Sequence, residues 1–152
     1  MQGVRRTVSK KATESLLHKM NNLLGISDSY QAPDAMMRFL ESDDHNHFFR
    51  KMIQAFDYNL GEEWFNDYFE DEHADRKNNK QDFTPTSISR LMAELLGEGN
   101  GIIYEPAAGM GSTIIQHWWN ERIKSAPWNY NPLSTLYICE ELSDQTIPFL
   151  LF

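Results

Sequence analysis

Apolar residues recur at helical spacing from about Ser9 to Asp71. Leu16, Leu17, Met20, Leu23 and Leu24 predict one amphipathic helix, with Ser9 or Thr13 as N-cap and Gly25 closing it. Pro33 and Asp34 open a second, which buries Met36, Met37, Phe39 and Leu40; the fixed φ of proline suits a first turn. Phe48, Phe49, Met52, Ile53, Phe56 and Leu60 form a third, which resumes after Gly61 through Trp64, Phe65, Tyr68 and Phe69. Residues 1–74 therefore read as a helical domain rich in Met and aromatics.

Residues 75–82, Asp-Arg-Lys-Asn-Asn-Lys-Gln-Asp, hold no apolar side chain and read as a linker. The rhythm then changes over 83–152. Thr84 caps a helix with Pro85 at its first position, a stripe of Ile88, Leu91, Met92, Leu95 and Leu96, and Gly97 as its stop. Gly101 to Glu105 predicts a short buried strand, Pro106 to Gly111 a small-residue loop, and Ser112 to Lys124 a helix with Ile114, Ile115, Trp118, Trp119 and Ile123 apolar. Leu136 to Cys139 is a second strand, and Ser143 starts a last helix that is still apolar at Phe149-Leu-Leu-Phe152. The expected class is a helical domain (α) followed by the start of an α/β sheet, which is expected to be incomplete because two parallel strands do not make a stable sheet alone.

Composition narrows the class. In 152 residues, 41% are hydrophobic and 24% charged, as in a soluble globular protein. No apolar stretch nears the roughly 18 residues needed to cross a bilayer, so a cytoplasmic location without a membrane partner is expected. The single Cys139 excludes an internal disulfide and a multi-thiolate zinc site. Net charge is −8, but the signs are separated. Arg5, Arg6, Lys10, Lys11 and Lys19 lie near the start, whereas Asp57 to Asp75 holds eight acids and no Lys or Arg. Such a balance argues against this chain gripping duplex DNA by itself, because nonspecific affinity comes mostly from phosphate neutralisation. Other segments or subunits would have to help.

The sharpest chemical signal is Glu105-Pro-Ala-Ala-Gly-Met-Gly-Ser112, between a strand and a helix. Small residues let a ligand approach the backbone, and the free N–H groups of the helix start favour an anion. Glu105, at the strand tip, suits a cationic amine. Together they suit an amino-acid moiety. The stretch lacks the Gly-Lys-Ser/Thr of a phosphate loop and the third glycine of a dinucleotide fingerprint. A second signal is the acid pair Glu140-Glu141 after the next strand, where a carboxylate accepts both ribose hydroxyls in nucleoside-binding α/β folds. Glu141 is preferred, with Glu140 one register step away. A third is Asp82-Phe83-Thr84-Pro85, with Phe83 either walling the pocket or stapling the next helix.

At these places, and in this order, the chain resembles the N6-adenine DNA methyltransferases, in particular the modification subunits of type I restriction-modification systems and their phage-encoded relatives. That family carries Phe-Tyr-Thr-Pro-like, Asp-Pro-Ala-Cys-Gly-Ser-Gly-Gly and strand-end acid segments. The resemblance spans about residues 80–150, and before that it is architectural. It implies a Rossmann-like domain binding S-adenosylmethionine through Phe83, Thr84, Pro85, Glu105, Pro106, Ala107, Gly109, Gly111, Ser112, Glu140 and Glu141, and methyl transfer to a flipped adenine in DNA. Glu105 stands for the family's Asp, Ala108 for Cys, Met110 for Ser and Ser112 for the last Gly. The family's Asn/Asp-Pro-Pro-Tyr/Phe catalytic segment is absent, since Asn129-Tyr-Asn-Pro-Leu133 has one proline and precedes the second strand. No catalytic residue is therefore assigned; that segment is expected beyond Phe152, and the chain is expected to bind the cofactor weakly or not at all alone and to transfer no methyl group.

The remaining features have plainer readings. His45, His47 and His73 near Asp43 and Asp44 match no metal-ligand spacing and read as surface, so no metal is expected. Trp118 and Trp119 should split, one buried and one exposed, and the basic start reads as a mobile tail. A specificity subunit is a partner the resemblance implies, and self-association is compatible with it. The competing function is a non-catalytic methyltransferase-like module that pairs with a specificity or modification subunit. Methylation of RNA or protein is weaker, because the segment order points to adenine in DNA.

Overall fold

A computed structural model describes residues 10–66, 68–69, 83–97 and 101–152, so Ser9, Asp82, His73 and the expected linker lie outside the described residues. Helix α1 spans Lys10–Leu24, and Gly25 follows it with its N–H on the Asn22 carbonyl. Thr13 lies inside α1, not at its cap. A short 3-10 turn, Ser29–Gln31, leads into α2, Ala32–Leu40, and α3 is His45–Ala55. Pro33 sits in the first turn of α2 as expected. The buried side of α2 is built from Ala32, Ala35 and Met36, whereas Met37, Phe39 and Leu40 are only half-buried. Small residues on that side let neighbouring elements approach closely.

Met20 and Leu24 from α1, Met36 from α2, Phe48 and Met52 from α3, and Phe65, Tyr68 and Phe69 form one core. Phe39 stacks on Phe48 with centroids 4.1 Å apart, and Phe56 on Trp64 at 4.6 Å. The Tyr68 hydroxyl donates to Asn21 Oδ1 at 2.9 Å, so a buried polar atom is satisfied across the core.

The other elements are α4 (Thr86–Leu96), β1 (Gly101–Glu105), α5 (Ser112–Lys124), β2 (Thr135–Cys139) and α6 (Ile147–Leu151). Strands β1 and β2 pair in parallel, Gly101 opposite Thr135 and Glu105 opposite Cys139, with α5 as the connection. The result is a small two-stranded parallel sheet among helices. Helix α6 packs on α2, and Phe149 enters the core at 4.9 Å from Phe65 and 4.8 Å from Phe69. The last residues thus share a core with the first helices.

Five expectations change. Pro85, in extended conformation, is the N-cap of α4, which begins one residue later than expected. Ser143 does not begin the last helix: a turn over residues 144–146 comes first, and Thr146 is the N-cap of α6. The apolar stripe of α4 faces outward, with Leu95 78% exposed, while Ser89 and Ala93 are buried. On α5, likewise, Gln116 and His117 are the buried residues, and Trp118 and Trp119 are both half-buried. Helices α4 and α5 approach each other closely, which small side chains permit and large ones prevent. Strand β1 is not buried either, Ile102 being 66% exposed.

The buried polar side chains of α5 each make a hydrogen bond, while His117 Nε2 is buried and without a hydrogen-bond partner among the described residues. Gln116 Nε2 donates to the Gly61 carbonyl, and the Tyr137 hydroxyl donates to Glu121 Oε2 at 3.1 Å. His117 Nδ1 lies 2.9 Å from that hydroxyl. Arg90 pairs with Glu62, which ties α4 to the segment after α3. Among the described residues, no helix is long and apolar enough to cross a membrane.

Candidate functional site

Where β1 ends, the chain must turn sharply into α5, and Gly109 and Gly111 make this possible with φ of 56° and 89°. The turn is anchored across the strands: Glu140 N–H donates to the Glu105 carbonyl and Ala108 N–H to the Glu140 carbonyl, both at 2.9 Å. A Cβ at Gly111 would lie 3.2 Å from Leu150 Cδ1 of α6. Gly111 is also the N-cap of α5 and brings no side chain to cap it. The first N–H groups of the helix therefore depend on something other than a cap side chain.

Glu141 is held from both sides. Its Oε2 accepts the Gly109 N–H at 2.7 Å and its Oε1 the Ser143 N–H at 2.8 Å. A carboxylate has about four acceptor positions, so two amides leave capacity for further donors. Glu141 thus closes the glycine loop and still offers acceptors. Glu105 Oε1 makes only a long contact of 3.4 Å with Ala107 N–H. Its neighbour across the strands, Cys139, has its thiol pushed up in pKa, first by burial and then by the Glu105 charge.

These groups border a cleft of ≈430 Å³, in the range of small-molecule pockets. Of the sequence-predicted residues, Phe83, Thr84, Glu105, Ala107, Gly109, Ser112 and Glu141 line it. Pro85, Pro106, Gly111 and Glu140 do not. Phe83 lines the cleft and packs on the core with its ring 6.3 Å from Phe69, a contact with the helical part and not the staple on the next helix that is the other reading. Glu140 is exposed and turned toward Tyr104, whose phenol it raises in pKa, chiefly through their hydrogen bond.

The cleft also contains residues that were not expected to bind the cofactor. Met92, Ala108, Met110, Thr113 and Thr146 line it, as does Asn66 from the acidic stretch. Asn66 Nδ2 donates to Ser112 Oγ at 3.3 Å. A second groove, of ≈520 Å³, runs beside β1 between Leu95 and Leu96 of α4 and Ile102 and Tyr104, with Pro106 and His117 also lining it. His45 and His47 are exposed, away from this region of the chain.

Geometrically the cleft can take a ligand with a diol or other donors at Glu141, an anion at the start of α5 and a cation at Glu105. Comparison with curated proteins and with solved structures gives no match. The family model described as N-6 DNA methylase matches residues 60–126, from just before Gly61 through α5, and this supports a relationship of that stretch to the N6-adenine DNA methyltransferases.

Proposed function

We propose that this chain is the cofactor-holding part of a DNA methyltransferase that transfers a methyl group from S-adenosylmethionine to adenine N6, within a Rossmann-like domain related to restriction-modification enzymes. The observation that carries this reading is the Glu141 carboxylate, fixed by the Gly109 and Ser143 amides at the rim of the glycine-loop cleft. In this proposal Glu141 accepts the ribose hydroxyls, the start of α5 at Ser112 receives the carboxylate, Glu105 holds the ammonium group, and Phe83 walls the nucleoside side. When bound, S-adenosylmethionine supplies an electrophilic methyl group on a sulfonium. The residues described above bind and orient it; the group that positions adenine is assigned to a segment outside residues 1–152, on this or a partner chain. DNA is then a partner through those other elements.

The test is amide NMR of the chain with S-adenosylmethionine added to millimolar concentration. The expected result is movement of the Gly109, Gly111 and Ser143 signals, reduced in Glu141→Ala. The reading commits to weak binding by the chain alone, so unmoved signals in the folded chain at that concentration would overturn it. Methyl transfer by these 152 residues alone would overturn the assignment of catalysis elsewhere. A second reading, a non-catalytic module that pairs with a specificity or modification subunit, draws on the exposed apolar side chains of α4 and β1. It differs in requiring association that survives changing both Glu105 and Glu141 to Ala.

A further inference from the structure

We infer that Asn66 is a ligand-binding residue of the cleft, its Oδ1 accepting a hydrogen bond from the ammonium group of the cofactor's amino-acid end. This rests on the S-adenosylmethionine reading of the cleft and adds to it a residue from the helical part of the chain.

Asn66 is held firmly. Its own N–H donates to Glu63 Oε2 at 2.7 Å, and the Phe65 N–H donates to Glu63 Oε1 at 2.6 Å, so one carboxylate caps the turn that carries both residues. Phe65 is buried in the core against Phe149. The Nδ2 contact with Ser112 Oγ then sets the rotation of the amide. What remains is Oδ1, which is buried and without a hydrogen-bond partner among the described residues, on a side chain that lines the cleft. An unmet buried acceptor is costly, and a ligand donor removes that cost.

Position decides which donor. Ser112 opens α5, where the ligand carboxylate is placed, and the ammonium is attached to the same carbon as that carboxylate. Glu105 lines the same cleft and neutralises the charge. An ammonium carries three N–H donors, more than Glu105 alone uses to advantage, so a neutral carbonyl acceptor at Asn66 complements it. The ribose end belongs to Glu141.

The experiment is calorimetric titration of the full chain with two probes: S-adenosylhomocysteine, and 5′-methylthioadenosine, which shares the nucleoside but lacks the amino-acid group. Asn66→Ala should weaken S-adenosylhomocysteine about tenfold or more, as expected for a hydrogen bond to a charged group, and leave methylthioadenosine within about twofold. Asn66→Asp keeps the acceptor oxygen and should retain S-adenosylhomocysteine within about threefold. Equal weakening of both probes, or no change in either, overturns the assignment. If Asn66→Ala fails to fold, Asn66→Ser, which shortens the side chain away from the ligand, takes its place with the same expected split. Glu141→Ala weakens both probes, because both carry the ribose. Failure of the unaltered chain to bind either probe would remove the cofactor reading itself, whereas binding of both that ignores Asn66 removes only this inference.

Discussion

The two sides of this molecule use their apolar residues in opposite ways. Around α1, α2, α3 and α6, aromatic and methionine side chains point inward and meet one another, as in Phe65 against Phe149 and Phe152. On the sheet side they point outward. Ile102 and Tyr104 of β1 pair with Leu136 and Ile138 of β2, so the four lie on one face, and all four are exposed. The stripe of α4 is exposed as well. Parallel sheets ordinarily have both faces covered, and here, among the described residues, the face bound is the one toward α5, through Tyr137. Periodicity therefore tells which side chains share a face, and packing decides whether that face is filled.

The largest effect that would sharpen this contrast comes from the filled side. Phe149→Ala removes a ring that touches Phe65, Tyr68 and Phe69 and joins the end of the chain to the first helices. Truncating a buried Phe costs about 3–5 kcal/mol. Urea denaturation should show a loss of that size, and a loss below about 1 kcal/mol would mean that the shared core is not the stabilising element it is here described to be. Next comes Glu63→Ala, which leaves the Phe65 and Asn66 amides without their acceptor. It should cost about 1 kcal/mol, as cap substitutions do, measured by the same method.

Much of the architecture was legible in the sequence. Gly25 and Gly97 do end helices, β1 and α5 have the expected bounds, and β2 begins one residue earlier. What the pattern did not reveal was orientation. Ser89, Ala93, Gln116 and His117 are buried because two helices meet closely; a carbonyl binds Gln116 and a phenol binds His117 Nδ1, whereas Ser89 Oγ and His117 Nε2 have no partner among the described residues, and no hydropathy pattern encodes this. Glu140 and Glu141 could not be separated for a similar reason: one step along an extended segment changes the face, and only the strand pairing shows Glu140 following Ile138 to the Tyr104 side. Asn66 was hidden in an acidic run that reads as a solvated face. The signal available was Glu63 just before Phe65, a capping acid at the start of a buried aromatic turn.

A smaller effect tests the bound face of the sheet. Burial, then the charge and hydrogen bond of Glu121, holds the Tyr137 phenol above its ordinary value of 10.0. The folded chain keeps this proton at a pH where the unfolded chain has released it. The contribution is therefore intact below pH 10 and lost as pH rises beyond it. Thermal denaturation across the alkaline range should show stability falling from about pH 10 upward, and Tyr137→Phe should flatten that fall. An identical fall in the variant would assign it to other groups.

The smallest expected change in stability is on the open side, and it decides most directly whether the contrast is real. Ile102 and Leu95 are largely exposed, so Ile102→Thr and Leu95→Gln remove little buried surface and should shift the unfolding free energy by no more than about 0.5 kcal/mol. Their effect belongs elsewhere, since both residues border the groove beside β1. Exposed apolar surface binds hydrophobic dyes and promotes association, so dye fluorescence and concentration-dependent sedimentation should fall in the double variant while the denaturation midpoint stays in place. A large loss of stability would mean that these side chains are already covered in solution, and the two sides of the molecule would then differ less in how they are packed than in what packs them.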